Sequence, residues 1–268
     1  MKYDIIATDL DGTLLNDSSE LTLHTREVLI EAQRQGMRVV LASGRPANGM
    51  RHIAEALHLK EYGGYIMAFN GGQIIDCTTE EEVYSIHLPH TYLPLMLDKA
   101  HSHGFSLITY HGEYVVSEDE ANEYINKTIH RNRLKFKKVQ SFVQEVVYPI
   151  NKCMIVGDPR QLEPLEKSLQ TEYQGRLSTY LSDAFFLEVV PMGINKATGL
   201  KRLLEHLHES PSRLIAFGDA PNDAAMLRYA GLGVAMAQAH QAARDASDIS
   251  TLTNNEDGVA AVVEKLLQ

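Results

Sequence analysis

The chain has 268 residues, 44% of them hydrophobic and 22% charged, with a net charge of −10. This excludes a disordered chain, which combines few apolar residues with dense charge, and the acidic balance argues against nucleic acid as the main partner. No apolar run approaches the roughly 20 residues that span a bilayer, so no membrane partner is expected, and Asp4 and Asp9 break the apolar start that a signal peptide needs, which implies a cytoplasmic protein.

In chain order, residues 3–8 read as a buried strand apart from Asp4, and residues 21–35 as a helix with Val28, Leu29 and Ala32 on one face and Gly36 as its stop. Residues 38–42 form a second strand. A helix with Pro46 in its first turn follows, and then a third strand over 65–69. This β-α-β-α-β order predicts an α/β fold with a Rossmann-like, doubly wound parallel sheet. The far end repeats the pattern: a helix over 196–207, a strand over 213–217, a helix over 221–229, a short strand over 233–235 and a closing helix over 259–267. The middle differs. Asn70-Gly71-Gly72 reads as a turn, and hairpins are expected around His111-Gly112 and Asp183-Ala184, with a strand over 151–156 and a helix over 159–173. An α+β domain inserted at 83–190 is therefore expected, splitting the sheet domain into 1–82 and 191–268. His101 and His103 read as surface residues, and Tyr110, His111 and Tyr114 as a hairpin tip. Cys77 and Cys153 are too few for a zinc site and fit a reducing compartment.

Chemistry collects at the ends of the sheet strands. Asp9-Leu10-Asp11-Gly12-Thr13 follows the first strand. In extended backbone, residues i and i+2 point the same way, so both carboxylates project at the carboxyl edge, where open α/β sheets bind ligands. Alone, this could be an ordinary Asx turn. A second acidic turn, Gly218-Asp219-Ala220-Pro221-Asn222-Asp223, leaves a strand at the same edge, although Asn222 and Asp223 could simply cap a helix. Like charges 4 Å apart repel by about 4 kcal/mol at an effective dielectric of ~20. Asp9, Asp11, Asp219 and Asp223 together therefore call for a cation or raised pKa values, and an all-oxygen donor set points to Mg²⁺ rather than zinc. Ser43 and Gly44 follow the second strand, where a hydroxyl and an amide at a helix N-terminus favour an anion. Lys196, in the first turn of a helix, opposes the helix dipole unless an anion lies near. Metal ligands, hydroxyl, amide and ammonium on one sheet edge fit phosphoryl transfer.

At these residues the chain resembles the haloacid dehalogenase superfamily, and within it the Cof-type sugar-phosphatase branch with a large α/β cap. The resemblance covers essentially the whole chain. It implies an Mg²⁺-dependent phosphatase of small phosphomonoesters with no obligate protein partner, and a cap that closes over the sheet edge. Asp9 would be the nucleophile that forms an aspartyl-phosphate, and Asp11 the acid and then the base. Ser43 and the Gly44 amide would hold the phosphoryl group, and Lys196 would neutralise it and orient Asp9. Mg²⁺ would be held by Asp9, the backbone carbonyl of Asp11 and Asp219. Asn222 would assist near the phosphate, and Asp223 would brace the acidic loop. The chain departs from the family pattern at Ala220-Pro221 and at Asn195, where Ser is common.

Two rival readings stay open on sequence. A phosphomutase would return the same phosphoryl group to a sugar. A non-catalytic, receiver-like switch would need only one phosphorylatable Asp, and both Asp11 and the large insert speak against it. A dinucleotide-binding domain is excluded because no G-x-G-x-x-G follows the first strand.

Overall fold

The computed structural model describes residues 2–268. They form two compact units: one comprises the described residues to Ser85 together with Asn195–Gln268, the other Ile86–Ile194. The inserted unit thus starts later than the 83–190 read from sequence, because residues up to Ser85 still pair within the first sheet, and ends later because Pro191 still pairs within the second.

The first unit is built on the strands β1 (Ile5–Thr8), β2 (Arg38–Ala42), β3 (Tyr65–Ala68), β4 (Gln73–Asp76) and β5 (Glu82–Ser85). Its sheet is completed from the far end of the chain by β12 (Leu214–Gly218), β13 (Leu232–Ala235) and β14 (Ile249–Ser250). The order across the sheet is β14-β13-β12-β1-β2-β3-β4-β5. The six strands from β14 to β3 are parallel, and β4 and β5 add an antiparallel edge. β1 is central and buried along its whole length, as a strand covered on both faces requires. The charged Asp4 that interrupts its apolar run is matched by an ion pair with Arg213 just before β12. The helices Leu23–Arg34 and Lys196–Leu207 alternate with the strands and bury Val28, Leu29 and Ala32, and Leu200, Leu203 and Leu204, respectively. Thr22 caps the first helix, and Gly36 at φ +96° ends it.

Register places the functional loops. Thr8 lies opposite Phe217 on one side and Leu41 on the other, and Asp9 N–H donates to the Phe217 carbonyl at 3.0 Å. The residues leaving β1, β2, β3 and β12 therefore all emerge at one carboxyl edge.

The second unit has the strands β6 (Ser106–His111), β7 (Tyr114–Ser117), β8 (Lys135–Lys138), β9 (Cys153–Val156), β10 (Leu177–Asp183) and β11 (Phe186–Pro191), ordered β10-β11-β9-β6-β7-β8. Leu107, Cys153, Ile155, Leu187 and Val189 form one apolar face, packed with Met96, Leu162, Leu165 and Leu169 from the helices Leu93–Ser102 and Pro159–Glu172. The opposite face carries a buried polar row. Lys152 donates to Glu188 at 2.9 Å with both side chains almost fully enclosed, and the Tyr110 hydroxyl meets Thr128 at 2.9 Å. Tyr110, expected near a hairpin tip in solvent, is thus buried, because the Glu123–Asn132 helix covers that face. His101 is partly exposed, as expected, and pairs with Asp119 at 3.4 Å. Burial pushes the Cys77 and Cys153 thiols up to about 12. Among the described residues no helix is long and apolar enough to cross a membrane.

The close approach of residues 69–71 to the Lys196–Leu207 helix depends on Gly199. A Cβ there would stand 2.6 Å from Gly71 Cα and from Met67 Sδ. Gly199→Ala is expected to destabilise the protein by about 1–3 kcal/mol, read as a lower urea midpoint at unchanged m-value.

Candidate active site

Lys196 is the first residue of its helix. Asn195 caps that helix through a box in which its Oδ1 accepts from Thr198 N–H at 2.9 Å and Thr198 Oγ1 accepts from Asn195 N–H at 3.1 Å. An ammonium at this end faces the positive pole of the helix. It is also fully buried, where an unpaired charge costs several kcal/mol. Two carboxylates meet both demands: Lys196 Nζ donates to Asp9 Oδ1 and, at 2.5 Å, to Asp223 Oδ1.

Asp223 has a second task. Its Oδ2 accepts from the N–H groups of Asp219 (3.0 Å) and Ala220 (2.9 Å), which fixes the loop after β12. Gly218 makes room for this, since a Cβ there would lie 2.5 Å from Asp223 Cβ. Asp219 is turned back toward the β1 loop, where Thr13 Oγ1 donates to its Oδ1 at 2.7 Å. Gly12, at φ +84°, passes so close that a Cβ would lie 2.5 Å from Asp219 Oδ2. Gln238 donates to the Gly12 carbonyl at 2.5 Å, and His240 N–H donates to the Asp219 carbonyl at 2.7 Å, which ties a third loop to the first two.

The structure brings Asp9, Asp219 and Asp223 together, with a ligand oxygen from each within 4.8 Å of the others. The Asp11 carboxylate lies at the same edge, near enough to Asp219 to help raise its pKa, but it is not one of this trio. The chain turns directly after β1, so Asp9 and Asp11 face different partners. Asp11 is gripped by Arg45, with Nε on Oδ2 at 2.9 Å and Nη2 on Oδ1 at 2.5 Å. Arg45 is almost wholly buried while the Asp11 side chain is 46% exposed, so the guanidinium is the fixed partner.

Ser43 and Gly44 leave β2 beside this group, but not at a helix N-terminus. Pro46 holds the chain extended, a single 3₁₀ turn follows at Ala47–Gly49, and the Arg51–Ala56 helix begins later. Ser43 Oγ accepts from Arg45 N–H at 3.2 Å, which closes the turn. Asn222 is exposed and donates to Asn70 Oδ1 at 3.1 Å. Sequence reasoning passed over Asn70, Thr13 and Gln238. Thr13 lay in view inside the acidic motif, whereas the loops holding Asn70 and Gln238 carried no charge pattern to mark them.

Electrostatics follow from burial. Enclosure pushes the Asp9 carboxyl up to about 8; Lys196 opposes the rise, and Asp223 and Asp219 add to it. Burial also raises Asp219, against the Thr13 hydrogen bond. For Lys196 burial works against the ammonium, but the Asp223 and Asp9 carboxylates outweigh it and hold its pKa above the usual lysine value. With all three carboxylates ionised the group would carry two negative charges net of the ammonium, the amount one divalent cation carries, so a bound cation would favour that state over a protonated Asp9. Both Asp223 oxygens are already engaged, so the remaining oxygens of Asp9 and Asp219 are those a hard cation such as Mg²⁺ would draw on.

A sequence profile described as haloacid dehalogenase-like hydrolase matches residues 6–263. Among curated proteins, the chain is 31% identical to the 5-amino-6-(5-phospho-D-ribitylamino)uracil phosphatase YcsE of Bacillus subtilis, over 97% of this chain and 94% of that one. It is 30% identical to the phosphatase YwpJ of the same organism, over 98% and 99%. Among solved structures, a haloacid dehalogenase-like hydrolase from Bacteroides thetaiotaomicron superposes with a TM-score of 0.95 at 40% identity, covering 99% of this chain and 100% of that one. TM0651 from Thermotoga maritima gives 0.84 at 28%, covering 98% and 97%.

Removing the ammonium strands two buried carboxylates. Lys196→Ala is expected to destabilise the protein by about 3–5 kcal/mol, measured by urea unfolding at neutral pH. The raised Asp9 carboxyl also has a signed consequence. Between about pH 4 and the folded value near 8 the native state holds a proton that the unfolded chain has lost, so this group's contribution to stability declines as pH rises through that window. Unfolding in chelator across pH 4–9 should show that decline, and Asp9→Asn should remove it.

Proposed function

The chain belongs to the haloacid dehalogenase-like hydrolases, and on that premise we propose that it hydrolyses small phosphomonoesters, sugar phosphates foremost, through an aspartyl-phosphate on Asp9. The observation that carries this reading is the buried Lys196 ammonium bridging Asp9 and Asp223 at the carboxyl edge of the sheet. A carboxylate is a weak nucleophile, and Lys196 fixes its orientation while offering positive charge to an incoming phosphoryl group.

In the first step an Asp9 oxygen attacks phosphorus, the bond from phosphorus to the ester oxygen breaks, and Asp11 gives its proton to the departing alkoxide. In the second, Asp11 takes a proton from water, the water oxygen attacks phosphorus, and the bond to Asp9 breaks, releasing phosphate and restoring both carboxyl groups. The Arg45 guanidinium has only donors, so a proton on Asp11 must sit on a lone pair that Arg45 does not use. Ser43 and the Gly44 amide are assigned to the phosphoryl oxygens and Asn222 to the same group. Mg²⁺ held by Asp9, Asp219 and the Asp11 carbonyl would supply charge neutralisation and polarise the phosphoryl oxygens. Asp223 braces the loop that presents Asp219.

Phosphate release from hexose phosphates and p-nitrophenyl phosphate, with Mg²⁺ or with chelator, tests the reading. Turnover is expected only with Mg²⁺, and Asp9→Asn should reduce it by about a thousandfold or more. A protein that is folded, loaded with Mg²⁺ and inert on every ester would sink the proposal, and transfer to an added sugar instead of water would mark a mutase. Asp11→Asn separates the two steps. Nitrophenolate leaves without needing a proton, so this variant should release one equivalent of it in a burst and then turn over about 10²–10⁴-fold more slowly than wild type.

A further inference from the structure

Residues 69–71 do more than turn the chain after β3. Phe69, Asn70 and Gly71 have φ of +53°, +55° and +93°, three successive left-handed residues, and all three are buried. Two of them carry side chains, and such conformations persist only where the surroundings over-determine them. Here those surroundings belong to the site. Phe69 N–H donates to the Arg45 carbonyl at 3.1 Å, and Asn70 N–H to the Ser43 carbonyl at 2.9 Å. Gly71 packs on the first turns of the Lys196 helix, where a Cβ would stand 2.8 Å from the Asn195 carbonyl and 2.9 Å from Gly199 Cα. The Asn70 side chain reaches the remaining loop, with its Oδ1 accepting from Asn222 Nδ2 at 3.1 Å. The amide as a whole packs beside Gly44, with Nδ2 at 3.2 Å and Oδ1 at 3.4 Å from where a Gly44 Cβ would be.

We propose that Asn70 is a positioning residue of the phosphoryl site, one amide that holds Asn222 and the Ser43–Gly44 turn in register with each other. The inference rests on the phosphatase reading for what the site binds, and on geometry for the rest. Asn combines the two requirements of the position. It tolerates left-handed backbone better than other residues with side chains, and its flat amide offers an acceptor to one loop while its face packs against another. Asn222 is exposed, so without this acceptor its amide is free to rotate into solvent. Ser43 and Gly44 would lose the wall that fixes the space over them.

Asn70→Gly tests this, because glycine keeps the left-handed backbone and removes only the amide. With p-nitrophenyl phosphate as substrate, kcat is expected to fall about 10–100-fold, the scale of a misplacement near 1 Å, and inhibition by orthovanadate to weaken by a similar factor. KM should change less than kcat. Asn222→Ala, which acts on the other side of the same hydrogen bond, should give a comparable loss, and the double variant no more than either single one. Calorimetric titration with inorganic phosphate supplies a readout independent of turnover, with weaker binding expected in both variants. Wild-type kcat and phosphate affinity in Asn70→Gly, or losses that multiply in the double variant, overturn the proposal. A wild-type protein that hydrolyses nothing yet binds phosphate more tightly than Asn70→Gly upholds the positioning role and overturns the hydrolase reading. One that neither hydrolyses nor binds phosphate overturns both.

Discussion

The site is organised around an ammonium ion placed where it should not be. Lys196 is fully enclosed and stands at the positive end of a helix, so both desolvation and the helix dipole oppose its charge. Only the carboxylates of Asp9 and Asp223, arriving from the ends of two neighbouring parallel strands, make it tolerable. The constraint then spreads outward. Asn195 must cap the helix so that its first turn sits at the sheet edge, Gly71 and Gly199 must lack side chains so that the helix can approach, and Gly218 must leave room for Asp223.

A division of labour results between two cations. Lys196 serves the interior pair of carboxylates, and Arg45, almost as enclosed, serves the outward-facing Asp11. The two carboxylates of the first acidic turn, separated by one residue, thus meet different partners, one rigid and one half in solvent. Under the proposed mechanism, that asymmetry suits a nucleophile that must stay in place and a proton carrier that must exchange with its surroundings. Thr13, Gln238 and the His240 amide bind the loops to one another by neutral hydrogen bonds, so the acidic residues are held by contacts that do not consume their charge.

Much of this was legible in the chain. The parallel core could be read because its buried strands are short apolar runs and its helices keep their periodicity. The acidic turns could be read because each follows such a run directly. What escaped notice had physical reasons. β4, β5 and β14 are short, partly polar and at or near an edge, so burial writes little into them. Ser43 is marked, but its setting at a helix N-terminus is not the one found, because Pro46 suits a first helical turn as well as the extended chain it holds here. Lys196 is marked by its place in a first helical turn, but its complete burial is not, because the partners that bury it lie far away in sequence. Asn70 in an Asn-Gly-Gly run looks like any turn, and its hydrogen bonds to Ser43 and Asn222 exist only once three strands are in register.

The enclosed Lys152–Glu188 pair on the second sheet bears on how this chain can change over evolutionary time. Exchanging either partner alone for an uncharged residue leaves the other buried without its counter-ion, a loss of about 3–5 kcal/mol from a total that for most domains is only about 5–15. A lineage would therefore cross a poorly folded intermediate to alter either position singly, while an apolar pair of equal volume would be tolerated in a single concerted exchange. Loss of charge at one site is thus coupled energetically to the other, independently of the chemistry at the other sheet.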